Sequence, residues 1–543
     1  MSKKNNVRSS QLLSPFGVGQ IVNFPKELSL MVCGLNLWDE KIEQGKVNRG
    51  IDSIKESDLR FNEIRLQNAL EVGYFVKPFE YKTAGEKNNY LEIPAVRFPG
   101  WHYCTNHKCG RMTHVPLSQP SEKIECISCW DGQSRFKWKM NPVRFVAACP
   151  SGHIQDVPFK EWVHNGVIPK DSLKHEISYH AGGGSGDLGS INIKCSCGVR
   201  RSLAGLMNIR KDGEKVFDSA LARVGYNKED GHKFDSSNPN DNNPLGQYCK
   251  GYRPWLGFEG VNNANGCNNH LQVLIRGASN VHFSEIQSAI YLPSSSEESN
   301  EYVNQVIDDL GKDNLLRYYK NDKINKASDG MQMLPVILET QSVVRNGCIS
   351  KEDLLSGIID ELSSKDESDE ESEMPSELKL RLEEYSYILK GRDSENSDLK
   401  AIVKTFEKYA EQDILEKYFD CVVLIEKLKE TRVFKGFSRI NPMNKINKRE
   451  LSNKPVKWLP AVEVYGEGIF LKFNDEIVDS WLKEYGGKHE NIINRYHASM
   501  LKRRPQDDLK SINPFFVAMH TFAHLLIKKL CFDCGYGSSS LRE

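Results

Sequence analysis

The sequence predicts a multidomain protein of the α+β class, with embedded zinc-ribbon-like modules and a helical middle region. Three observations carry that reading. A chain of 543 residues exceeds what one hydrophobic core organises. Nine of its fourteen cysteines crowd between Cys104 and Cys267, which scattered core thiols would not do. Between strand-like segments lies a stretch rich in Leu, Ile, Glu and Lys, as surface helices are.

Taken in order, residues 1–95 read as a mixed α/β segment. Leu12 to Val22, with Pro15, Gly17 and Gly19, suggests a turn feeding a strand, and Leu59, Ile64, Leu66 and Leu70 recur at helical spacing. Residues 96–283 hold the cysteines among glycines and aromatics, a composition with little core of its own that typically needs a metal. Residues 284–435 read as helical, interrupted by an acidic stretch at 363–377 that is expected to be disordered. Residues 436–499 return to strand character, with Gly466 and Gly468 flanking a hairpin turn between apolar runs. From residue 500 a final segment opens, with a helix from Pro514 to about Leu530 that Gly535 ends.

Lys+Arg and Asp+Glu are both 73, so a chain-wide basic field is excluded and any nucleic-acid contact must be local. No run of about 18 apolar residues stands out and the N-terminus leads to no apolar signal core. The expectation is a cytoplasmic protein without a membrane span, whose cysteines stay reduced.

Cys104-x4-Cys109 and Cys126-x2-Cys129 form two knuckles sixteen residues apart. Zinc wants four soft donors in a tetrahedron, and four filled positions leave none for water, so this reads as structural Zn2+. His107 and His114 inside the unit read as surface or packing residues. A second, distributed site is drawn from Cys195, Cys197, Cys249 and Cys267. Cys149-Pro-Ser-Gly-His153 joins it, replaces two of its members, or does neither. His164, His175 and His180 read as solvated or hydrogen-bonded. Cys531 and Cys534 read as packing thiols; His520 and His524, which share a helix face but lack the Glu of a metalloprotease helix, read as packing or hydrogen-bonding residues. Cys33, Cys348 and Cys421 read as core thiols.

No phosphate loop, serine-hydrolase elbow or phosphodiesterase motif is present, so no enzymatic activity is expected. The glycine-rich Gly182–Asp187 reads as a surface turn, and Glu463 with Glu467 as a turn-stabilising pair. Arg200 and Arg201, the Lys445, Lys448 and Arg449 cluster, and Lys502, Arg503 and Arg504 are local basic patches suited to phosphate. Tyr252, Trp255 and Phe258 offer aromatic faces for bases.

Several segments together resemble a known family. They are Arg8-Ser9-Ser10-Gln11-Leu12, Phe16-Gly17-Val18-Gly19, Cys149 to His153 with Trp162-Val163-His164, and Cys195-Ser196-Cys197-Gly198 with Arg201-Ser202-Leu203. Arg253-Pro254-Trp255-Leu256-Gly257, Arg276-Gly277-Ala278-Ser279-Asn280, Gly436-Phe437-Ser438-Arg439-Ile440, residues 458–471 and His520-Thr521-Phe522-Ala523-His524 complete the set. In this order they resemble the DrmB family, the helicase-partner proteins of the DISARM antiphage system. The resemblance implies a non-enzymatic subunit that partners a helicase resembling DrmA and contributes to binding foreign DNA. It also implies the start, near residue 500, of a C-terminal helicase-associated domain that looks truncated here. The family pattern has a further cysteine where residues 154–194 have none, which leaves the second ligand set open. Two rivals stand beside this reading. One is a metal-dependent nuclease or hydrolase using His520, His524, Glu463 or Glu467; the other is a stand-alone zinc DNA-binding protein.

Overall fold

The computed structural model describes the chain apart from residues 1–6, 50–58, 81–90, 121–122, 131, 134–135, 171–173, 183–186, 213–214, 227–242, 293–296, 328–332, 346–350, 352–353, 356–357, 359–375, 392–397, 408–411, 443–449, 504–511 and 539. The protein is α+β and multidomain, with several small sheets. It divides into two units. Met1–Ser288, Arg432–Val462 and Asn474–Glu543 make the first; Ala289–Thr431 and Glu463–Phe473 make the second.

The first unit opens as its sequence suggests. The strand Ile21–Phe24 pairs antiparallel with Leu28–Val32, which pairs in turn with Ala95–Arg97. Helix Ile64–Leu70 starts where the Glu63 carboxylate accepts from the Leu66 amide at 2.6 Å, satisfying one of the orphan donors of a first turn. Three three-stranded sheets follow in the cysteine-rich region. One has Trp101–Cys104 between Met112–His114 and Met140–Pro142; another has Phe145–Ala148 between Ile154–Gln155 and Gln272–Ile275. The third joins Ile177–Ala181, Ile191–Cys195 and Arg200–Ser202. The expectation of little core is corrected here. Phe145, Phe159, Trp162, Ile193, Leu203 and Leu271 form a continuous apolar cluster that also takes in Cys149, Cys195 and Cys249. Aromatics that look like loop composition in the sequence point inward and close it.

Motifs far apart in sequence meet at a second centre in this unit. Arg439 is wholly buried, and its guanidinium donates to the carbonyls of Gly19 (2.8 Å), Gly152 (3.2 Å) and Val281 (2.5 Å). It also lies 5.3 Å from the Trp255 ring and 4.9 Å from that of Phe437. Gly19 has φ +82, and a Cβ there would meet the Phe437 ring at 2.5 Å, so backbone and space both require glycine. His282 stacks on Phe437 with centroids 4.8 Å apart, and its Nε2 donates to the Val18 carbonyl at 3.0 Å. Burial, reinforced by the Arg439 charge, pushes the His282 pKa down to about 3.

This burial makes the fold acid-sensitive. Below the ordinary histidine pKa of 6.5 the unfolded chain takes up a proton that folded His282 refuses until about 3. Stability is therefore lost as pH falls through that window, by up to about 1.4 kcal/mol per pH unit from this residue. Urea midpoints at pH 7 and pH 5 should diverge less in His282→Gln than in the parent chain. Equal divergence would remove His282 as a source of acid sensitivity.

The C-terminal part of the first unit holds helices Asp475–Arg503 and Pro514–Cys534. The first corrects the β-rich reading of 436–499 over its second half. The Asn513 side chain caps the second, accepting from the Phe516 amide at 2.7 Å, and Gly535 ends it. This helix is long and apolar enough to cross a membrane by length and composition, and none of its residues is buried. The sequence shows no uninterrupted apolar run here because His520, His524, Lys528 and Lys529 divide it.

In the second unit, helices Glu297–Leu310, Lys312–Ala327 and Leu334–Glu339 pack around Val306, Leu315 and Leu338. Helix Ser376–Lys390 lies beside strand Leu399–Lys404, which pairs antiparallel with Phe419–Ser438, placing Leu399 opposite Leu428. The all-helical expectation for 284–435 is thus corrected: a β-branched, alternating run around Val423 and Ile425 makes a strand. The hairpin expected at Gly466 and Gly468 is one unbroken strand, Trp458–Phe473. Neither glycine has a positive φ, so no turn forms there. The acidic stretch lies outside the described residues as far as residue 375, as does most of Gly182–Asp187.

Candidate metal centres

The first cluster is the one the knuckles predict. Cys104 ends the strand Trp101–Cys104, and Cys109 sits on a turn where its own amide and that of Gly110 both donate to the Asn106 carbonyl at 2.9 Å. Gly110 has φ +57 and a Cβ there would lie 2.3 Å from the Tyr179 carbonyl oxygen, so only glycine makes this turn. Cys126 and Cys129 flank a single 3-10 turn. Cys104 and Cys129 Sγ atoms lie 3.6 Å apart, and those of Cys109 and Cys126 3.9 Å apart. A tetrahedron with sulfur about 2.3 Å from its centre has edges of about 3.8 Å, so the spacing fits. The Asn106 amide approaches Cys129 Sγ at 3.6 Å, an outer donor that holds a thiolate. His107 and His114 stay outside; both are exposed, and His114 pairs with Asp156 at 3.0 Å.

The second predicted set is corrected. The structure does not bring Cys195, Cys197, Cys249 and Cys267 together; it divides them between two four-donor clusters. Cys249 and Cys267 meet Cys149 and His153. Cys149 Sγ lies 3.9 Å from Cys267 Sγ and 3.5 Å from His153 Nδ1. A tight turn, with the Gly152 amide donating to Cys149 O at 2.8 Å, lets the Cys-x3-His segment chelate. The Lys250 amide donates to the Gln155 side chain at 2.9 Å, tying Cys249 to the strands beside that turn rather than to the Cys195 hairpin.

Cys195 and Cys197 meet two histidines whose sequence setting suggests solvation. His164 caps the C-terminal end of helix Phe159–Val163, and His175 precedes strand Ile177–Ala181. Cys195 Sγ lies 3.4 Å from His175 Nδ1, and Cys197 Sγ 3.4 Å from His164 Nε2. Both histidines are buried, and their rings stand edge to face with centroids 4.9 Å apart. The sequence signal for them is faint: a histidine pair eleven residues apart in the window that lacks a cysteine.

In each cluster all donor atoms lie within 4.8 Å of one another, and no described cysteine is in a disulfide. Electrostatics suits a cation. Burial holds the Cys104 thiol far above its ordinary range, while, against burial, the Arg111 backbone amide and the neighbouring thiols draw Cys109 down. Cys197 is drawn down to about 6, first by the Val199 backbone amide and then by His164. Cys33, in contrast, is a core thiol pushed up to about 12 by burial. Cys421 is half-buried, Cys534 is exposed rather than packed, and Cys348 lies outside the described residues.

The basic patches fare differently. Arg200 is exposed, but Arg201 is committed inside the fold. Its guanidinium lies 3.6 Å from the Trp162 ring and donates to Trp162 O at 2.9 Å and Asn165 Oδ1 at 3.1 Å. Lys445, Lys448, Arg449 and Arg504 lie outside the described residues, while Lys502 and Arg503 end the helix that begins at Asp475. Trp255 is buried, leaving Phe258 as the exposed aromatic of its group.

His520 and His524 do share a face and are joined by Glu543, which pairs with His520; all three are exposed. Glu463 is instead paired with Lys429 at 2.7 Å in the second unit, and Glu467 is exposed.

The fold and its clusters thus define a multidomain α+β protein with three compact Cys/His donor sets in one unit among the described residues. Residues 8–283 match the family described as Domain of unknown function (DUF8724). The chain is also 28% identical over 477 residues to the DISARM protein DrmB of Bacillus paralicheniformis, covering 83% of this chain and 72% of that protein. On the first finding the chain belongs to the DUF8724 family, and on the second it is similar to DISARM protein DrmB.

Proposed function

We propose that this chain is a zinc-containing, non-enzymatic subunit of a DISARM-type antiphage system, which partners a helicase and contributes to holding foreign DNA. The similarity to DISARM protein DrmB over most of the chain carries this reading. The donor chemistry supports the metal part. Cys104, Cys109, Cys126 and Cys129 would hold one ion, and Cys149, His153, Cys249 and Cys267 a second. Thiolate-rich sets with four donors select zinc and leave no position open, so the ions would fix structure rather than activate water. Balanced charge argues for a helper rather than an autonomous DNA binder, since a neutral chain lacks long-range pull on phosphate. Arg200 and the clusters at 445–449 and 502–504 are the proposed phosphate contacts. The hydrolase rival loses Glu463 to its ion pair with Lys429.

Copurification with neighbouring gene products tests the partner. DNA binding alone should be weak and salt-sensitive, and at least about tenfold tighter with the helicase subunit, as added phosphate contacts require. Neutralising Lys502 and Arg503 should lower the salt slope by about one unit for each phosphate that no longer meets a cation, without changing metal content. Equal affinity with and without a partner would favour the stand-alone DNA binder. Metal-dependent DNA cleavage abolished by His524→Ala would favour the hydrolase.

A further inference from the structure

We infer that the chain holds a third metal ion, a zinc in a mixed two-histidine, two-cysteine site made by His164, His175, Cys195 and Cys197. This rests on the zinc reading of the other two clusters and extends it to a set that pairs Cys195 and Cys197 with two histidines whose sequence signal is faint.

The geometry that carries it is in the imidazoles. A zinc-binding histidine must present a bare ring nitrogen, and its other nitrogen usually donates to a carbonyl or carboxylate that fixes the tautomer. Both histidines are arranged this way, through opposite nitrogens. His164 Nδ1 lies 2.7 Å from the Lys160 carbonyl oxygen, which sets its proton there and leaves Nε2 bare toward Cys197. His175 Nε2 lies 3.1 Å from the Pro169 carbonyl oxygen, leaving Nδ1 bare toward Cys195. Two lone pairs and two sulfurs therefore converge in a space where every donor is within 4.8 Å of the others. A tetrahedral ion with bonds of about 2.3 Å to sulfur and about 2.05 Å to nitrogen sets sulfur and nitrogen about 3.6 Å apart. The observed 3.4 Å is close to that value on both sides.

Two separate thiol–imidazole hydrogen bonds would account for each distance alone. They give no reason for both pairs to share one centre, with the rings at 88° to each other. An ion does. It would join three pieces of chain: the end of helix Phe159–Val163, the connector before strand Ile177–Ala181, and the turn between strands Ile191–Cys195 and Arg200–Ser202. That same turn leads into Arg201, whose guanidinium lies over Trp162 of the helix. The ion and the cation–ring contact would brace one junction from its two ends.

The test is site-resolved. With the two sulfur-rich clusters alone, one zinc ligand in eight is nitrogen; with the third, three in twelve are. Elemental analysis of the full chain, purified with zinc supplied, should give three zinc ions, and X-ray absorption at the zinc edge should give the higher nitrogen share. The double variant His164→Gln/His175→Gln should lose one ion and return the nitrogen share to one in eight. The double variant His164→Cys/His175→Cys should keep three ions while nitrogen falls, which a purely packing role would not produce. Two ions with a sulfur-rich spectrum, unchanged in the glutamine variant, would overturn this inference and leave the other two sites standing. One ion with equal sulfur and nitrogen would instead overturn the two-site reading and leave this inference standing. No bound zinc in any preparation would overturn both.

Discussion

Replacing Arg439 by methionine should destabilise the first unit by about 3–5 kcal/mol, the scale seen when one partner of a buried charged network is removed. The side chain is fully buried, and three carbonyls from residues 19, 152 and 281 rely on its fork. Methionine fills much of the volume but donates to none of them. Lysine should rescue little, because a single ammonium on a flexible stem cannot reproduce a planar fork aimed at three acceptors. Gly19→Ala should also be costly, since it combines a positive φ with a clash against Phe437. Urea midpoints of the purified full chain measure both. Unchanged midpoints in Arg439→Met would mean that the three carbonyls find other donors and that this centre is not a fastening point.

The same centre shows what a sequence can and cannot reveal. The segments around Gly19, Gly152, Trp255, Asn280 and Arg439 are legible as motifs, and their order carries the family. Nothing in their spacing says that they meet, because the hydrogen bonds close over separations of up to 420 residues. Arg439 is therefore visible in the sequence only as part of a pattern, and Arg201 and Trp255 look like free surface. Charge and aromaticity state what a side chain can do, while burial decides whether it is available. The first cysteine cluster is legible for the opposite reason. Its two knuckles are local, each closed by one turn, with a short connector between them. The other clusters mix donors from elements far apart, so residue type alone joins four cysteines that the fold separates by topology. Histidine adds to the difficulty. It ligates, packs or hydrogen-bonds equally well, and only the direction of its two ring nitrogens distinguishes these roles. Strand Phe419–Ser438 is hidden because its charged outward positions resemble a helix surface until the alternation is counted.

Cys126→Ser and Cys249→Ser should separate two uses of one chemistry. The cluster containing Cys126 has almost no apolar support. Its buried members are Cys104, Cys126 and Met140, with Cys109, Ile124, Cys129 and Trp138 partly buried around them. Metal-binding energy there would be nearly all of the local folding energy, on the order of 10 kcal/mol for a structural zinc site. Losing one ligand should therefore loosen the turns that carry Cys109, Cys126 and Cys129, while the strands that reach the main apolar cluster through Trp101, Tyr103 and Met112 stay folded with the rest of the unit. Cys249 and its partner Cys149 belong instead to the main apolar cluster with Phe145, Trp162 and Leu271. Removing that thiol leaves donors without an ion inside a close-packed core, so the destabilisation should spread through the whole unit. Zinc content should fall by one in each variant. Limited proteolysis should cut Cys126→Ser first in those turns with little change in the main thermal transition. Cys249→Ser should lower that transition by roughly 10 °C or more, as a loss of several kcal/mol does in a large domain. If both variants lose zinc yet unfold alike, the two sites share one cooperative core, and there is no distinction between a metal-made module and a metal-braced core.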